Sequence, residues 1–288
     1  MYPSAFEYHR ASSVKEALKM LSDFGEDGKL IAGGHSLVPI MKLRLAQPAH
    51  LIDISGVREL GSIREERGKI VLGAMATHRA VEISPVVRDK LGLLAECAAV
   101  IGDIQVRNRG TIGGSIAHAD PAADYPAAVL ALEGEIKIEG ASGSRVVKAE
   151  DFFIDLMTTA VRPGELVTEV AFAPVPAGRG FAYLKHRQPA SGFAMVGVAA
   201  IVALAKNGAC EGVRVGVTGL AAKPFRAKAV ETALAGKAPA QAIAGAAAHA
   251  ADGIDAMADI HASADFRAEL ARVYTRRALE AAISRARS

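Results

Sequence analysis

The chain has 288 residues, 51% of them hydrophobic, and its 34 basic and 31 acidic side chains leave a net charge of +3 at pH 7. Nearly balanced charge argues against nucleic acid as the main partner, and no apolar run approaches the roughly 20 residues that cross a bilayer. The start, Met-Tyr-Pro-Ser, lacks the charged and apolar segments of a signal peptide, so we expect a cytoplasmic protein.

The cysteine content excludes one class of redox centre. The sequence holds Cys97 and Cys210 and no other cysteine, whereas an iron–sulfur cluster normally takes four. No C-x-x-C pair is present, and both residues are interpreted as small buried hydrophobes. Any electron-transfer enzyme that contains this chain must therefore carry its iron–sulfur clusters on another polypeptide.

The N-terminal part alternates short strand and helix patterns. After an extended start over residues 1–11, the apolar spacing predicts a helix from Val14, a strand at Lys29–Ala32, a helix carrying Leu37 to Leu45, and a strand at Leu51–Ile54. This order is typical of a small βαβ-like unit. We expect this first lobe to end near residue 55.

A second lobe follows, from about residue 56 to 177. Its pattern predicts strands at Lys69–Leu72, Glu135–Ile138, Arg145–Val147 and Leu166–Phe172, and a single long helix over Val86–Ile101. The Pro174-Val175-Pro176-Ala177-Gly178 segment indicates a boundary. The chain exceeds one average domain, and we expect one domain over residues 1–177 and another over residues 178–288.

The C-terminal part predicts three antiparallel strands and then helices. The strands are Gly180–Lys185, Phe193–Leu204 and Val213–Leu220, and an alanine-rich helical region begins at Pro224. In the last helix, Asp265–Arg285, the set Arg267, Arg272, Arg276 and Arg277 indicates a solvated face, with membrane-surface contact or subunit docking as the alternative. The predicted fold class is α+β.

Two glycine-rich segments carry the chemistry. Gly110 to Pro126 reads G-T-I-G-G-S-I-A-H-A-D-P-A-A-D-Y-P, and Leu30 to Leu37 reads L-I-A-G-G-H-S-L. Glycines permit a concave backbone whose amides converge on an anion. Neither segment is the G-x-G-x-x-G of a Rossmann unit, but two such loops fit a dinucleotide held from both sides. A glycine-rich turn between helices is the alternative.

Other polar residues have plainer interpretations. His35, His78 and His118 are not spaced as metal ligands, so no metal site is predicted. Arg107 and Arg109 precede the second segment, where they either face an anionic ligand or are solvated or paired. The serines of the two segments are not part of a recognisable Ser-His-Asp catalytic triad, so nucleophilic catalysis is not expected.

These motifs resemble a known family. A-G-G-H-S-L from residue 32, followed by T-I-G-G-S-I-A-H-A-D-P-A-A-D from residue 111, is similar to the FAD-binding medium subunits of molybdenum hydroxylases, which include aerobic carbon monoxide dehydrogenases and xanthine dehydrogenases. The likeness covers essentially the whole chain. It implies a two-lobed FAD-binding domain of the vanillyl-alcohol-oxidase (PCMH) type, followed by a C-terminal domain with a three-stranded antiparallel sheet and helices.

The resemblance also implies a cofactor-binding set. The two segments would wrap FAD, Asp124 would bond its sugar-alcohol part, Ile101 and Val167 would pack on it, and Lys185 would lie near it. The residues assigned to the cofactor are Ala32, Gly33, Gly34, His35, Ser36, Ile101, Thr111, Ile112, Gly113, Gly114, Ser115, Asp124, Val167 and Lys185. No catalytic residue and no metal ligand is assigned. Asp124 is also expected to cap the helix after it.

The implied function is electron transfer inside a larger enzyme. A small subunit would carry [2Fe–2S] clusters, a large subunit the molybdenum cofactor, and the whole would be a dimer of heterotrimers of the carbon monoxide dehydrogenase type. The alternative is a stand-alone FAD oxidase or reductase acting on a small molecule, and a third is a nucleotide-binding scaffold without redox function. The visible spectrum separates the third alternative from the others, and the partner chains separate the first two.

Overall fold

The computed structural model describes residues 1–286, and its first sheet is the predicted βαβ-like unit. The three strands are parallel and lie in the order β1, β3, β2, with helix α1 between β1 and β2 and helix α2 between β2 and β3. Parallel neighbours need such crossovers because a tight turn can join only antiparallel strands. The elements are β1 (Glu7–Arg10), α1 (Val14–Phe24), β2 (Gly28–Ile31), α2 (Leu37–Lys42) and β3 (His50–Asp53).

The second sheet has five antiparallel strands in the order β4, β5, β10, β6, β7. All four strands predicted for this lobe are present in it. The strands of the region are β4 (Ile63–Glu66), β5 (Lys69–Gly73), β6 (Glu135–Gly140), β7 (Gly143–Lys148), β8 (Phe153–Asp155), β9 (Thr158–Thr159) and β10 (Leu166–Phe172), of which β8 and β9 form a separate pair.

Seven short helices accompany this sheet. They are α3 (His78–Ile83), α4 (Pro85–Lys90), α5 (Gly92–Ala99), α6 (Ile104–Arg109), α7 (Ile112–His118), α8 (Tyr125–Ala131) and α9 (Ala149–Phe152). The single helix predicted over Val86–Ile101 is wrong, because the chain breaks at Leu91, where φ is −136° and ψ is 43°. A Cβ on the following Gly92 would lie 2.2 Å from the Phe181 ring, so the bend brings this glycine against the third sheet.

The third sheet contains the three predicted antiparallel strands and one more. A two-residue strand, Phe225–Arg226, pairs with the strand Cys210–Thr218, so the sheet has four strands rather than the three expected. The elements are β11 (Gly180–Arg187), β12 (Ala194–Leu204), β13 (Cys210–Thr218), β14 (Phe225–Arg226), α10 (Lys228–Leu234), α11 (Pro239–Ala248) and α12 (Ala264–Ala286).

Helix α12 lies across β11 and β12. A Cβ on Gly180 would come within 1.7 Å of the Ala282 carbonyl oxygen, so glycine permits this close approach. Arg267, predicted on a solvated face, is instead buried, and its guanidinium donates to the carbonyls of Met195 and Gly219 and to Asp259. Within residues 1–286, no helix is both long enough and apolar enough to cross a membrane.

One core joins the second and third sheets. Helix α8 is buried along its whole length and packs on β12 and β13. Its Tyr125 belongs to the same apolar cluster as Leu94 of α5 and Ile201 of β12. Burying each such side chain contributes about 1.5–3 kcal/mol, so the two halves of the chain stabilise each other.

Candidate functional site

The two glycine-rich segments meet in space. A Cβ on Gly33 would lie 2.1 Å from the Arg109 carbonyl oxygen and 2.8 Å from the Cα of Gly110, so only a residue without a side chain lets these backbones touch. Ala32 also lies beside the second segment, 3.8 Å from the position of a Cβ on Gly114. The two segments that were predicted to face one ligand are therefore adjacent in the fold.

The first segment has the properties of an anion-binding loop. Gly34 has a φ of +75°, which glycine adopts without strain. Within residues 1–286 the backbone amides of Gly34, His35 and Ser36 have no acceptor in the chain, and the His35 ring nitrogen Nδ1 lies 2.9 Å from the Gly33 carbonyl oxygen. Consecutive amides that are free of internal bonds are the donors that bind phosphate oxygens.

The second segment differs from its prediction as a loop with converging amides. Residues Ile112–His118 form helix α7, and Thr111 caps it by accepting from the Gly114 amide at 3.1 Å. The Ile112 amide donates to the Ala76 carbonyl at 3.0 Å, and the Gly113 amide donates to the Ala74 carbonyl at 2.9 Å. These amides are satisfied inside the chain, so they do not form an anion nest.

The glycines of α7 serve packing. A Cβ on Gly113 would lie 2.4 Å from the Ala74 Cβ, and one on Gly114 would lie 2.8 Å from the Thr111 hydroxyl. Gly113 is buried, whereas Gly114 and Ser115 are half-buried. Contacts from this segment to a ligand would therefore come from the half-buried Cα of Gly114 and the Ser115 hydroxyl rather than from the amides of Ile112, Gly113 and Gly114.

A groove of about 680 Å³ opens beside the first segment. Of the predicted cofactor residues, Gly33, Gly34 and His35 line it. The others in its lining are Met1, Ile31, Val38, Pro39, Lys42, Leu43 and Arg109. Its walls thus combine apolar surface, two cations and loop amides, which is the surface that a ligand with apolar and anionic parts requires.

The two arginines that precede the second segment have different surroundings, and one of them lines the groove. Arg109 is exposed and lines it. Arg107 instead pairs with Glu82 at 3.0 Å and donates to the Ile101 carbonyl at 3.1 Å, so it holds the bend between α5 and α6. Lys42, at the end of α2, was not foreseen, because nothing in the local pattern distinguishes it from other surface lysines.

Asp124 and Lys185 are 61 residues apart in sequence and in contact in the structure. The Lys185 ammonium lies 2.9 Å from a carboxylate oxygen of Asp124, the Tyr183 hydroxyl donates to that carboxylate at 2.6 Å, and both charged side chains are 5% exposed. Burial raises the pKa of the Asp124 carboxyl, against the lowering effect of Lys185 and Tyr183. The expected cap is wrong: Asp124 makes no side-chain bond to the start of α8.

The two apolar assignments lie elsewhere. Ile101 is half-buried at the turn after α5, and its carbonyl accepts from Arg107. Val167 is buried in β10 opposite Ile138, where the strand register is irregular. Neither residue lines the groove, and nor do Asp124 and Lys185. The structure therefore brings the first segment and Arg109 together and leaves the remaining predicted contacts apart from that groove.

His78 packs against the start of the second segment. Its backbone amide donates to the Gly110 carbonyl at 2.9 Å, and its ring packs edge-on against Tyr125. Burial, followed by the charges of His35 and Arg107, lowers the pKa of His78 to about 4. A histidine that stays neutral at pH 7 is suited to packing under the loop rather than to carrying a proton.

These features fit the flavin cofactor that the motifs imply. The pyrophosphate of FAD is anionic, and the free amides of Gly34, His35 and Ser36 together with Arg109 and Lys42 are complementary to it. Val38, Pro39 and Leu43 supply apolar contact surface. The first segment, Arg109 and Lys42 are therefore the residues that would hold the cofactor's charged part.

Comparison with known proteins identifies the family. Residues 4–176 match the model described as the FAD binding domain in molybdopterin dehydrogenase, and residues 181–282 match the CO dehydrogenase flavoprotein C-terminal domain. The carbon monoxide dehydrogenase medium chain of Hydrogenophaga pseudoflava is 41% identical over 286 residues, covering 99% of both chains. The 6-hydroxypseudooxynicotine dehydrogenase complex subunit alpha of Paenarthrobacter nicotinovorans is 38% identical over 100% of this chain and 97% of its own.

A solved structure shows the same fold. In the carbon monoxide dehydrogenase from Hydrogenophaga pseudoflava which lacks the Mo-pyranopterin moiety of the molybdenum cofactor, one chain superposes with a TM-score of 0.96 at 43% identity, covering 99% of both chains. The predicted α+β fold, with a flavoprotein C-terminal part after the FAD-binding part, is confirmed. The chain belongs to the FAD-binding medium subunits of the carbon monoxide dehydrogenase-type molybdenum hydroxylases, and is thus part of an oxidoreductase.

Proposed function

We propose that this chain is the electron-transfer subunit of a molybdenum hydroxylase complex of the carbon monoxide dehydrogenase type. Bound FAD would supply a centre that accepts electrons and passes them to the final acceptor. The observation that supports this proposal most directly is the groove, which Arg109, Lys42 and the free amides of the first segment line and which would hold the anionic part of FAD. The chain's own contribution is to bind and orient the cofactor.

The remaining redox centres are assigned to partners. Cys97 lies in helix α5 and Cys210 in strand β13, both are buried, and they belong to different apolar cores, so they do not form a cluster site. We therefore assign the [2Fe–2S] clusters to a small subunit and the molybdenum cofactor to a large subunit, in a dimer of heterotrimers in the cytoplasm. Relatives of nearly equal identity carry the names of different dehydrogenases, so the large subunit would set the substrate.

The Asp124–Lys185 pair and the apolar residues Ile101 and Val167 remain in the proposed cofactor environment. Support for the pair comes from its burial, since the desolvation of two charges at 5% exposure can cost more than their attraction returns, and buried carboxyls with a shifted pKa are concentrated at functional sites. Ala32, Ser36, Thr111 and Ser115 remain in the proposal through the contact of the two segments.

Arg109→Ala in the complete complex tests this function. Loss of one charge-assisted contact to phosphate costs about 1.5–3 kcal/mol, so we expect FAD to bind about 10- to 150-fold more weakly. Arg276→Ala, on the exposed side of α12, is the matched control. Flavin released on denaturation is the first measurement, with the melting temperature of the apo form as a check on folding.

Electron flow is measured on the same samples. When the flavin-poor Arg109→Ala complex is mixed anaerobically with substrate, its iron–sulfur absorbance should still bleach while reduction of the final acceptor fails, and added FAD should restore it. Acceptor reduction at the normal rate without flavin would contradict the proposal. Substrate turnover by the isolated chain with FAD alone would point to a stand-alone oxidase instead.

A further inference from the structure

Three metal-ligating side chains gather at one end of the N-terminal sheet, outside the groove. In the parallel register of β1 and β3, Glu7 lies opposite His50, and His9 lies two residues further along β1. Side chains two residues apart share a face of a strand, so Glu7, His9 and His50 project from the same face. Their ligand atoms all lie within 4.8 Å of one another.

The three donor atoms form a triangle close to the size of one face of a tetrahedral metal site. His9 Nε2 lies 3.1 Å from His50 Nδ1, and the Glu7 carboxylate oxygen lies 3.5 Å from His50 Nδ1 and 3.8 Å from His9 Nε2. Bonds of about 2.0–2.1 Å to nitrogen and oxygen give tetrahedral edges of about 3.3–3.4 Å. A shift of a few tenths of an ångström in the exposed Glu7 side chain would close the geometry.

The surroundings hold the two imidazoles in place. Phe24, the last residue of α1, stacks on His50 with ring centroids 4.0 Å apart and an interplanar angle of 13°, and its ring is 4.6 Å from His9. Both histidines are 25% exposed, whereas Glu7 is 73% exposed. The C-terminal end of a helix favours positive charge. The cluster is therefore ordered on the protein side and open on the Glu7 side.

We propose that Glu7, His9 and His50 form a binding site for a divalent transition ion, with Zn²⁺ as the ion that this donor set suits. Two imidazoles and one carboxylate select borderline ions over Ca²⁺ or Mg²⁺, which prefer oxygen ligands. Three protein ligands leave the fourth position to water or to an outside ligand. The bound ion would link β1 to β3 and stabilise the N-terminal sheet.

The test uses the full-length chain carrying FAD. After chelator treatment and dialysis against micromolar Zn²⁺ at neutral pH, the metal content is measured, and the absorbance of Co²⁺-loaded protein reports tetrahedral geometry. We expect one ion per chain and a higher melting temperature with Zn²⁺ than without it. His9→Gln and His50→Gln, which retain hydrogen-bonding groups, should lose the ion and the Zn²⁺-dependent shift.

His249→Gln is the matched control, because His249 pairs with the carboxylate of Asp252 at 2.6 Å without a second histidine. It should bind Zn²⁺ as the wild type does. Weak FAD binding by either histidine variant would indicate that the variant folds poorly. In that case the exposed Glu7→Gln variant provides the comparison, and we expect it to bind Zn²⁺ more weakly than the wild type. Wild-type protein that retains no Zn²⁺, or variants that retain as much as wild type, would show that His9 and His50 merely share a hydrogen bond.

Discussion

At the level of single residues, the Asp124 carboxylate is held by strand β11 rather than by the helix that follows it. Asp124→Asn preserves its volume but leaves the Lys185 ammonium buried without a counter-charge. Removing one member of a buried pair costs about 3–5 kcal/mol, so we expect that loss in the free energy of unfolding of the apo protein, measured with denaturant. A loss below about 1 kcal/mol, the size of a helix cap, would contradict this account.

Two further variants test whether the stability loss of Asp124→Asn comes from the unpaired Lys185 ammonium. Lys185→Met should cost less than Asp124→Asn, because burial already raises the pKa of the Asp124 carboxyl and the group can take up a proton. The double variant should recover most of the loss. Repeating the measurement on FAD-loaded protein tests the cofactor role. If Asp124→Asn lowers the stability of both forms equally and leaves FAD affinity unchanged, Asp124 does not contact the cofactor.

His78 predicts a pH dependence. Its pKa falls from 6.5 to about 4 in the folded chain, so the unfolded chain binds a proton that the folded chain does not. This contribution is complete above pH 6.5 and is lost as the pH falls toward 4. At 1.36 kcal/mol per unit it amounts to about 3 kcal/mol. Between pH 7.5 and pH 4, His78→Gln should therefore lose less stability than wild type.

The matched comparison is His249→Gln, whose side chain lies on the surface. We expect its loss of stability on acidification to follow that of the wild type in denaturant titrations. Equal acid sensitivity of the His78→Gln and wild-type proteins would show that the pKa of His78 does not differ between the folded and the unfolded chain.

At the level of elements, α8 and β13 touch through a glycine. A Cβ on Gly216 would lie 2.1 Å from the Ala127 carbonyl oxygen, so Gly216→Ala should separate the two elements. Overpacking of this kind typically costs about 1–3 kcal/mol. Gly245→Ala in α11 makes the same chemical change in open space, where replacing a helical glycine should instead add about 0.5–1 kcal/mol. Thermal unfolding of the two variants should therefore shift in opposite directions.

At the level of the whole molecule, we propose a boundary near residue 177 between two domains that depend on each other. Fragment 1–177 would expose the face of α8 that packs on β12 and β13, and would leave Asp124 without Tyr183 and Lys185. We expect it to be insoluble or to lack FAD when expressed alone, and to be rescued by coexpression with fragment 178–288. Measured flavin content of both preparations checks this, and a stable yellow fragment 1–177 would contradict it.

Features that depend on neighbouring residues were predictable from the sequence. The alternation of apolar residues located strands of all three sheets, and the family motifs identified the flavoprotein and its cofactor. The long helix over Val86–Ile101 was wrong because a regular apolar spacing continues through Leu91, where the backbone turns toward the third sheet. Local patterns thus describe periodicity well and bends poorly.

Only the tertiary structure decided which groups are free and which are paired. Judged from sequence, both glycine segments are equally able to bind an anion. In the structure, however, the amides of Ile112 and Gly113 donate to the carbonyls of Ala76 and Ala74, whereas the amides of Gly34, His35 and Ser36 remain available to a ligand. Asp124 meets Lys185, and His9 meets His50, through strand positions that no local pattern encodes. Hydrogen bonds and ion pairs act over about 3 Å, so their partners are known only when the packing of distant segments is known.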